Sequence, residues 1–409
     1  MRILHTADWH LGKKLDAFSR LEEQREVLGE ICDIADREKV DVVLIAGDLY
    51  DTYNPPAEAV DLFYKTVKRL TNNGKRAVIA IAGNHDSPER IEAPDPLARE
   101  CGIIFVGFPN AVIPTCKLES GICVSKNDKG FIELSLPDYA YPLRVILTPY
   151  ANEYRLKTFF AAENQGDEYR TVIANIWKNL ALQYCDPEGV NLLLAHLYLM
   201  KKGDPPPEES DDEKPILHVG GAEAIFSENI PPQIQYTALG HLHRYHRISG
   251  AAGKVAYSSS PLAYSFSEAN RDKYVIIVEA EPRHPVNLKP IKLSSGKPLL
   301  RKTFTNTEDA VQWLKGNQEA WVELTMVTDK FLTAESNKLL AEAHPGIVRI
   351  IPEVKDKTYL ESITCKPVDL SKSMEELFQE YFRSKYGNTP NDEIMDLFKE
   401  VQAEQPEKE

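Results

Sequence analysis

Five apolar segments of this chain are each followed at once by carboxylate, amide or imidazole side chains. In chain order, the segments with their polar ends are TADWH, IAGDLYD, IAGNHD, LLLAHL and LGHLH. The first three lie where short apolar runs alternate with amphipathic helical patterns, which is typical of strand–helix–strand units around a parallel sheet. Because the carboxyl ends of parallel strands line the crevice where ligands bind, we predict that these polar residues meet there.

The residue types at these strand ends are those that two divalent transition ions require. Carboxylate, imidazole and amide oxygen suit manganese, iron or zinc, and one aspartate can bridge two ions about 4 Å apart. Cysteine is missing from the set, which disfavours a structural zinc site. The sequence therefore predicts a dinuclear centre whose last two ligands are His241 and His243. The candidate residues are Asp8, His10, Asp48, Asp51, Asn84, His85, Asp86, His196, His241 and His243.

The glycines that precede Asp48, Asn84 and His241 are expected to let the backbone turn sharply toward the crevice. Asp86 is a candidate hydrogen-bond partner of a ligand, whereas His5 and Trp9 are expected to be packing residues. Four cationic side chains close to the ligand segments are candidates for contacts with nucleic-acid phosphates, although ordinary solvation explains each of them individually. These are Lys13, Lys14, Arg20 and Arg90.

Bulk composition limits the class of protein without identifying it. A chain of 409 residues, 43% of them hydrophobic, predicts two or three domains with ordinary cores. No apolar run is long enough to cross a bilayer, MRILHTADWH is not a signal peptide, and the six cysteines form no C-x-x-C pair. We therefore expect a soluble cytoplasmic protein. The net charge of −14 argues against a surface that binds nucleic acid over its whole area, but not against a local basic groove.

Changes in the sequence pattern predict three regions. Residues 1–282 hold the polar-ended segments and, from about residue 103, short alternating runs that indicate a second, mixed or antiparallel sheet. Residues 283–360, after the linker EPRHP, predict a small α/β domain. Its expected strands and helices are 286–293, 307–316, 320–327, 333–343 and 347–353. Residues 361–409 predict a linker and two short helices, whose apolar stripes fit packing on their own domain and docking of a partner equally well.

The motifs D-x-H, G-D, G-N-H-D, A-H and G-H-x-H, in this order, resemble the signature of the calcineurin-like metallophosphoesterases. Longer stretches, AGDLYDTYNPP, AGNHDSPER and SSSPLAYSFSEANRDKYV, are similar to a group of nuclease subunits in that family that work with an SMC-like ATPase. The resemblance implies an α/β fold with a metallophosphoesterase β-sandwich core flanked by helices. A small α/β cap domain for DNA recognition and a helical tail that binds the ATPase would follow this core.

The resemblance also implies a role for each candidate. One ion would bind Asp8, His10, Asp48 and His243. A second ion would share Asp48 and bind Asn84, His196 and His241, and both ions would be Mn²⁺. His85 would face the scissile phosphate, stabilising charge or protonating the leaving oxygen. Relatives from archaea and eukaryotes have another histidine near the position of Asp51. We expect the Asp51 carboxylate to pair with His85; the alternative is that it only caps the following turn.

The function that the resemblance implies is a Mn²⁺-dependent nuclease for double-stranded DNA ends and hairpins, in DNA repair and recombination. It would act as a homodimer within a heterotetramer with the SMC-like ATPase, away from membranes. A stand-alone metallophosphatase or small-molecule phosphodiesterase on the same core is one alternative, and a protein that mainly holds DNA ends for its partner is another. The cap domain, the stretch SSSPLAYSFSE and the tail favour the nuclease, because a minimal phosphatase needs none of them.

Overall fold

A computed structural model describes residues 1–158, 165–205, 224–355, 373–386, 389–391, 394–395 and 397–398. The strands are β1 (Arg2–Thr6), β2 (Lys14–Leu15), β3 (Phe18–Ser19), β4 (Val42–Ala46), β5 (Ala77–Ile81), β6 (Ile103–Val106), β7 (Cys116–Lys117), β8 (Cys123–Asp128), β9 (Phe131–Ser135), β10 (Leu143–Thr148), β11 (Val190–His196), β12 (Leu199–Met200), β13 (Ile225–Phe226), β14 (Tyr236–Gly240), β15 (His246–Ile248), β16 (Lys254–Tyr257), β17 (Tyr274–Glu279), β18 (Asn287–Lys292), β19 (Leu299–Phe304), β20 (Trp321–Thr328) and β21 (Ile347–Val354). The α-helices are α1 (Leu21–Arg37), α2 (Ala57–Leu70), α3 (Pro88–Glu92), α4 (Asp95–Glu100), α5 (Glu153–Leu156), α6 (Gln165–Tyr184), α7 (Thr307–Lys315), α8 (Ala334–Ala343) and α9 (Met374–Tyr386).

A six-stranded sheet, in the order β18-β17-β1-β4-β5-β6, forms one half of the core. Strands β1, β4, β5 and β6 are parallel, as strand–helix alternation predicts, and β17 adds to β1 in the antiparallel direction. All residues of β4 and β5 are buried, because α1 and α2 cover one face of this sheet and the second sheet covers the other. Both strands are accordingly apolar at every position.

A mixed eight-stranded sheet, in the order β15-β16-β14-β11-β10-β9-β8-β7, forms the other half. Alternate residues of its strands pack against the first sheet, and the opposite face packs on α6 around Trp177. The four layers confirm the predicted metallophosphoesterase β-sandwich flanked by helices. The run at 103–106, which we expected to open this second sheet, is instead β6 of the first sheet, paired in parallel with β5.

The strand predicted at 286–293 also belongs to the first sheet rather than to the small domain. It is β18, which pairs antiparallel with β17 from Glu279–Asn287 to Tyr274–Lys292. The predicted linker 281–285 is therefore the connection of a hairpin, in which Arg283 has a left-handed backbone with φ of 65°. Residue alternation indicates that a strand is present but not which sheet receives it, so the predicted start of the small domain at residue 283 is corrected to the segment before β19.

The small domain consists of the parallel sheet β19-β20-β21 with α7 and α8 in the connections. It contacts the first domain through Trp321, whose Nε1 donates to Glu23 at 2.8 Å and whose ring centre lies 4.8 Å from that of Phe18. A second contact joins Arg349 to Asp16, with Nη2 and Oδ1 3.0 Å apart. Both contacts fall on one short segment, residues 16–23.

The first of the two predicted tail helices is α9, and the aromatic ring of Phe378 stacks on that of Phe398 at 4.1 Å. Residues 361–372, at the start of the predicted linker and tail, and much of the second predicted helix lie outside the described residues. Within the described part of the chain, no helix combines the length and the apolar character needed to span a membrane.

Candidate metal centre

The structure brings together the strand-end residues that the sequence identifies as metal ligands. His10 Nε2 lies 2.9 Å from His243 Nε2, and His196 Nε2 lies 2.8 Å from Asn84 Oδ1. Asp48 Oδ2 lies between these two pairs, 3.6 Å from His10 Nε2 and 3.4 Å from His196 Nε2. This arrangement has the form of two ligand groups that share one aspartate.

Asp8 and His241 complete the group. The Asp8 carboxylate accepts a hydrogen bond from the backbone N–H of His241 at 2.8 Å, and one of its oxygens lies 3.7 Å from His196 Nδ1. The His241 ring lies edge-on to the His196 ring, with centres 5.7 Å apart. Residues from β1, β4, β5, β11 and β14 thus meet at one end of the two sheets.

Two features of this cluster fit divalent cations. Asp8 Oδ2 and Asp48 Oδ2 are buried, and neither accepts a hydrogen bond from the described part of the chain. A buried carboxylate oxygen in that condition costs free energy, which a bound cation would offset. In addition, four residues of the cluster have left-handed backbones, a strained conformation that concentrates at functional sites. They are Asp8 (φ 54°), His10 (φ 43°), Asp48 (φ 49°) and His241 (φ 109°).

The glycines before these ligands act in two different ways. Gly47 has a φ of 88°, so it provides the sharp turn that we expected. Gly83 and Gly240 are needed for close approach instead. A Cβ at Gly83 would lie 2.0 Å from Asp48 Oδ1, and one at Gly240 would lie 1.8 Å from the carbonyl oxygen of Ala46.

Burial and neighbouring charges shift the pKa of both aspartates of the centre. Burial raises the pKa of the Asp8 carboxyl to about 7, with Asp48 adding to the shift and His196 opposing it. Burial acts in the same direction on Asp48, but the neighbouring His196 and His85 rings hold the pKa of that carboxyl well below its usual range. One carboxylate oxygen of Asp8 and one of Asp48 lie within 4.8 Å of each other, so a cation between them would favour the charged form of both.

His85 is oriented by the main chain. Its Nδ1 lies 2.8 Å from the backbone carbonyl oxygen of Asp51, and its backbone N–H donates to Asp48 Oδ1 at 2.9 Å. Because a carbonyl only accepts, Nδ1 carries the proton and Nε2 is the atom available for chemistry. The Asp51 carboxylate lies 3.2 Å from Lys13 Nζ and 3.7 Å from His10 Nδ1. Residue 51 thus orients His85 through its backbone carbonyl and pairs its side chain with Lys13. An oxygen of the Asp51 carboxylate and a ring nitrogen of His85 also lie within 4.8 Å of each other, so the expected pairing of these two side chains stays a prediction.

The prediction that Arg20 contacts nucleic-acid phosphates is wrong. It is 1% exposed, forms an ion pair with Glu23 at 2.6 Å and donates to a main-chain carbonyl, so it cannot reach a nucleic acid. Lys14 and Arg90 are exposed, whereas Lys13 is buried beside the centre. The expectation for His5 and Trp9 agrees with their complete burial.

Two charged residues hold the loops that carry Asp48 and Asn84. The Asp86 carboxylate accepts hydrogen bonds from the backbone of Leu49 and Tyr50, at 3.0 and 2.9 Å, and of Gly83 at 2.8 Å. The buried Arg155 guanidinium donates to the carbonyls of Gly83 and Asp86 at 2.8 and 2.7 Å. The sequence analysis missed Arg155, because its segment, ANEYRL, has no pattern that points to the centre.

Glu268 and Lys273 were also missed. Glu268 Oε1 lies 3.1 Å from His243 Nδ1, and the Lys273 ammonium forms an ion pair with the other carboxylate oxygen. Burial opposes the charge on Glu268, but Lys273 and His243 outweigh it and lower the pKa of this carboxyl to about 2. Both residues lie in SSSPLAYSFSEANRDKYV, so the stretch pointed to this region without indicating which side chains act.

Changing Arg155 to methionine is expected to lower phosphodiester hydrolysis about 10- to 100-fold, because outer residues that hold metal ligands typically have effects of this size. The loop from Gly83 to Asp86 would lose the cation that binds two of its carbonyls. The measurement is hydrolysis of bis-p-nitrophenyl phosphate. Arg76→Met is the matched control, since Arg76 is equally buried and binds the carbonyls of Val40, Leu70 and Ala35. Equal losses in the two variants would contradict a local role for Arg155.

A cavity of about 670 Å³ opens beside the centre, between the first and the small domain. We call it the interdomain groove. Its lining includes Lys13, Asp51 and Tyr264 on the side of the centre, and Arg301 and Arg349 on the small domain. The groove therefore leads from the metal-ligand cluster to exposed cations of the small domain.

Comparison with known proteins agrees with this geometry. The calcineurin-like phosphoesterase family matches residues 1–245, which include all seven predicted ligands. Three relatives are each named as the D component of the nuclease SbcCD. The protein from Bacillus subtilis is 36% identical over 410 residues, covering 98% of this chain and 97% of its own. The protein from Rhodobacter capsulatus is 32% identical (72% of this chain, 71% of its own), and that from Staphylococcus epidermidis is 30% identical (71% of each).

Proposed function

The chain belongs to the calcineurin-like phosphoesterase family and is a phosphodiester hydrolase, and from this premise we propose that it is a Mn²⁺-dependent DNA nuclease. The observation that carries the proposal is the position of Asp48 Oδ2 between the His10–His243 and His196–Asn84 pairs. Relatives named as components of a nuclease, one of them matching over nearly the whole chain, support DNA rather than a small molecule as substrate.

In this proposal the ligands divide into two groups that share Asp48. Asp8, His10 and His243 complete one group, and Asn84, His196 and His241 complete the other. Two divalent ions bound there would supply Lewis acidity toward the phosphate and lower the pKa of a water nucleophile. His85, whose Nδ1 proton is held by the Asp51 carbonyl, would act as the imidazolium, with the second proton on Nε2 stabilising or protonating the leaving oxygen.

The interdomain groove is the proposed path of the DNA backbone. Exposed Lys14, Arg301 and Arg349 line it, although the chain as a whole has a net charge of −14. The two arginines form ion pairs with Glu323 and Asp16, which also line the groove, so DNA phosphates would compete with these carboxylates for them. Phosphate contacts of this kind position a duplex without reading its sequence. We therefore assign DNA recognition to the small domain and propose double-stranded ends and hairpins as substrates.

We further propose an SMC-like ATPase (SbcC) as the partner, bound through the C-terminal helices, with the nuclease as a homodimer within a heterotetramer. The names of the relatives describe one component of a nuclease that has at least one other. In α9, Met374 and Tyr381 are each 57% exposed, so this helix offers apolar surface to a partner. Such a complex would work in the cytoplasm, on chromosomal DNA in repair and recombination.

The test is cleavage of an end-labelled DNA duplex and of a hairpin by the full chain, with Mn²⁺ or with EDTA, and with or without the ATPase. We expect cleavage of both substrates in Mn²⁺ and none in EDTA. Hydrolysis of p-nitrophenyl phosphate without any DNA cleavage, even with the ATPase, would instead favour the stand-alone phosphatase.

A further inference from the structure

We propose that Glu268 and Lys273 form a buried pair that positions His243 and thereby sets the affinity of the centre for one of its two ions. The inference rests on the dinuclear centre proposed above and concerns residues that are not themselves ligands. Glu268 is 2% exposed and Lys273 is 7% exposed, so both side chains act inside the protein.

Glu268 determines which nitrogen of His243 faces the centre. Its Oε1 lies 3.1 Å from Nδ1, and an ionised carboxylate can only accept, so the proton of the ring is on Nδ1. The lone pair is then on Nε2, the atom that lies 2.9 Å from His10 Nε2. Because a metal binds the unprotonated nitrogen, this hydrogen bond presents His243 in the tautomer that a ligand requires.

Lys273 contacts both Glu268 and the backbone of His243. Its ammonium binds the second carboxylate oxygen of Glu268 and donates to the backbone carbonyl of His243 at 2.7 Å. A third hydrogen bond joins it to Ser260 Oγ at 2.8 Å. Lys273 therefore holds the main chain of His243 directly and the imidazole through Glu268.

Stability alone does not explain this pair. Removing two charges from water costs several kcal/mol for each ion, and apolar residues of similar volume are often as stabilising or more so. A buried Glu–Lys pair beside a ligand therefore indicates a contribution to the site. Nearby, His196 Nδ1 lies 2.8 Å from the carbonyl of Ala46, a neutral acceptor. A carboxylate partner makes an imidazole more basic than a carbonyl does, so His243 is the stronger ligand of the two.

The test measures Mn²⁺ binding to the full chain by titration calorimetry and by metal analysis after dialysis. The variants are Glu268→Leu, which removes the acceptor, Glu268→Gln, which keeps an acceptor oxygen without charge, and Lys273→Met. We expect the affinity for the Mn²⁺ ion that His243 binds to fall about 10- to 100-fold. The affinity for the other ion should stay close to that of the wild type. Glu268→Gln should lose less Mn²⁺ affinity than Glu268→Leu, because its amide oxygen can still accept a hydrogen bond from His243 Nδ1.

The matched controls are Glu133→Gln and Arg144→Met. These two residues form another buried ion pair, with Glu133 Oε2 2.8 Å from Arg144 Nε, near the amino end of β10 and so away from the centre. Both control substitutions should lower thermal stability without changing the affinity for either Mn²⁺ ion. Folded Glu268 and Lys273 variants that bind both ions as wild type does, or controls that lose Mn²⁺ equally, would overturn the inference while leaving the proposed function intact. A wild-type chain that binds no Mn²⁺ would overturn both.

Discussion

Changing His85 to glutamine is expected to slow phosphodiester hydrolysis by about 10²- to 10⁴-fold while both metal ions stay bound. Glutamine keeps a polar side chain of similar reach, but it cannot carry a proton to the leaving oxygen. His85 donates its backbone N–H to Asp48, so the substitution leaves this hydrogen bond to the carboxylate in place. The measurement combines cleavage rates on labelled duplex DNA with metal content.

A suitable control for this variant is His344→Gln in the small domain. His344 is also buried, and its Nε2 likewise lies 2.9 Å from a main-chain carbonyl oxygen, that of Asn317. We expect this control to cleave DNA at a rate near that of the wild type. If His85→Gln retained full activity, His85 would have no part in the chemical step. If it lost both ions, its role would be to hold the centre together.

The second large effect is a reversal of relative stability in Asp8→Asn. Without metal, the asparagine variant should be more stable than wild type at pH 8, whereas with saturating Mn²⁺ the wild type should be the more stable protein. Burial raises the pKa of Asp8 to about 7, so between about pH 4 and pH 7 the folded state holds a proton that the unfolded state has lost. The contribution of Asp8 to the stability of the wild type therefore falls as the pH rises from about 4 to about 7.

Asparagine removes this pH dependence and can still accept the hydrogen bond from the His241 backbone. It lacks the negative charge that the Asp8 carboxylate would bring to a bound cation, so the stabilisation by Mn²⁺, about 2.7 kcal/mol at a 100-fold excess over Kd, should be largely lost. Thermal melts from pH 5 to 8, in EDTA and in Mn²⁺, measure both effects. Parallel melting curves for the two proteins across these conditions would show that Asp8 neither binds metal nor has a raised pKa.

The sequence predicts well which polar residues meet at the centre, because these residues follow strand ends. Each predicted ligand comes just after, or at the end of, an apolar run, and parallel strands bring such ends together whatever the details of packing. The same reasoning fails for β18, since an alternating strand reads alike in either sheet. It also fails for Arg20, which is buried in an ion pair with Glu23 that the sequence pattern does not indicate.

Residues that act through other residues are the part that the sequence does not reveal. Arg155 contacts a loop about 70 positions earlier in the chain, and Glu268 contacts His243 across 25 positions. Such contacts depend on side-chain direction after folding, which neither spacing nor composition specifies. The Asp51 case is similar, because the sequence shows a carboxylate beside the centre but not that the backbone carbonyl of this residue accepts from His85 Nδ1.

The place of β1 between β4 and β17 has a consequence for how this protein is made. One neighbour of β1 follows about 40 residues later, but the other, β17, ends at Glu279. Synthesis proceeds from the amino end at about 5–20 residues per second, so one edge of β1 stays open until most of the chain has emerged. An open apolar edge invites pairing with other chains. Asp8 lies two residues after that strand, so the proposed metal-binding geometry forms only late in synthesis.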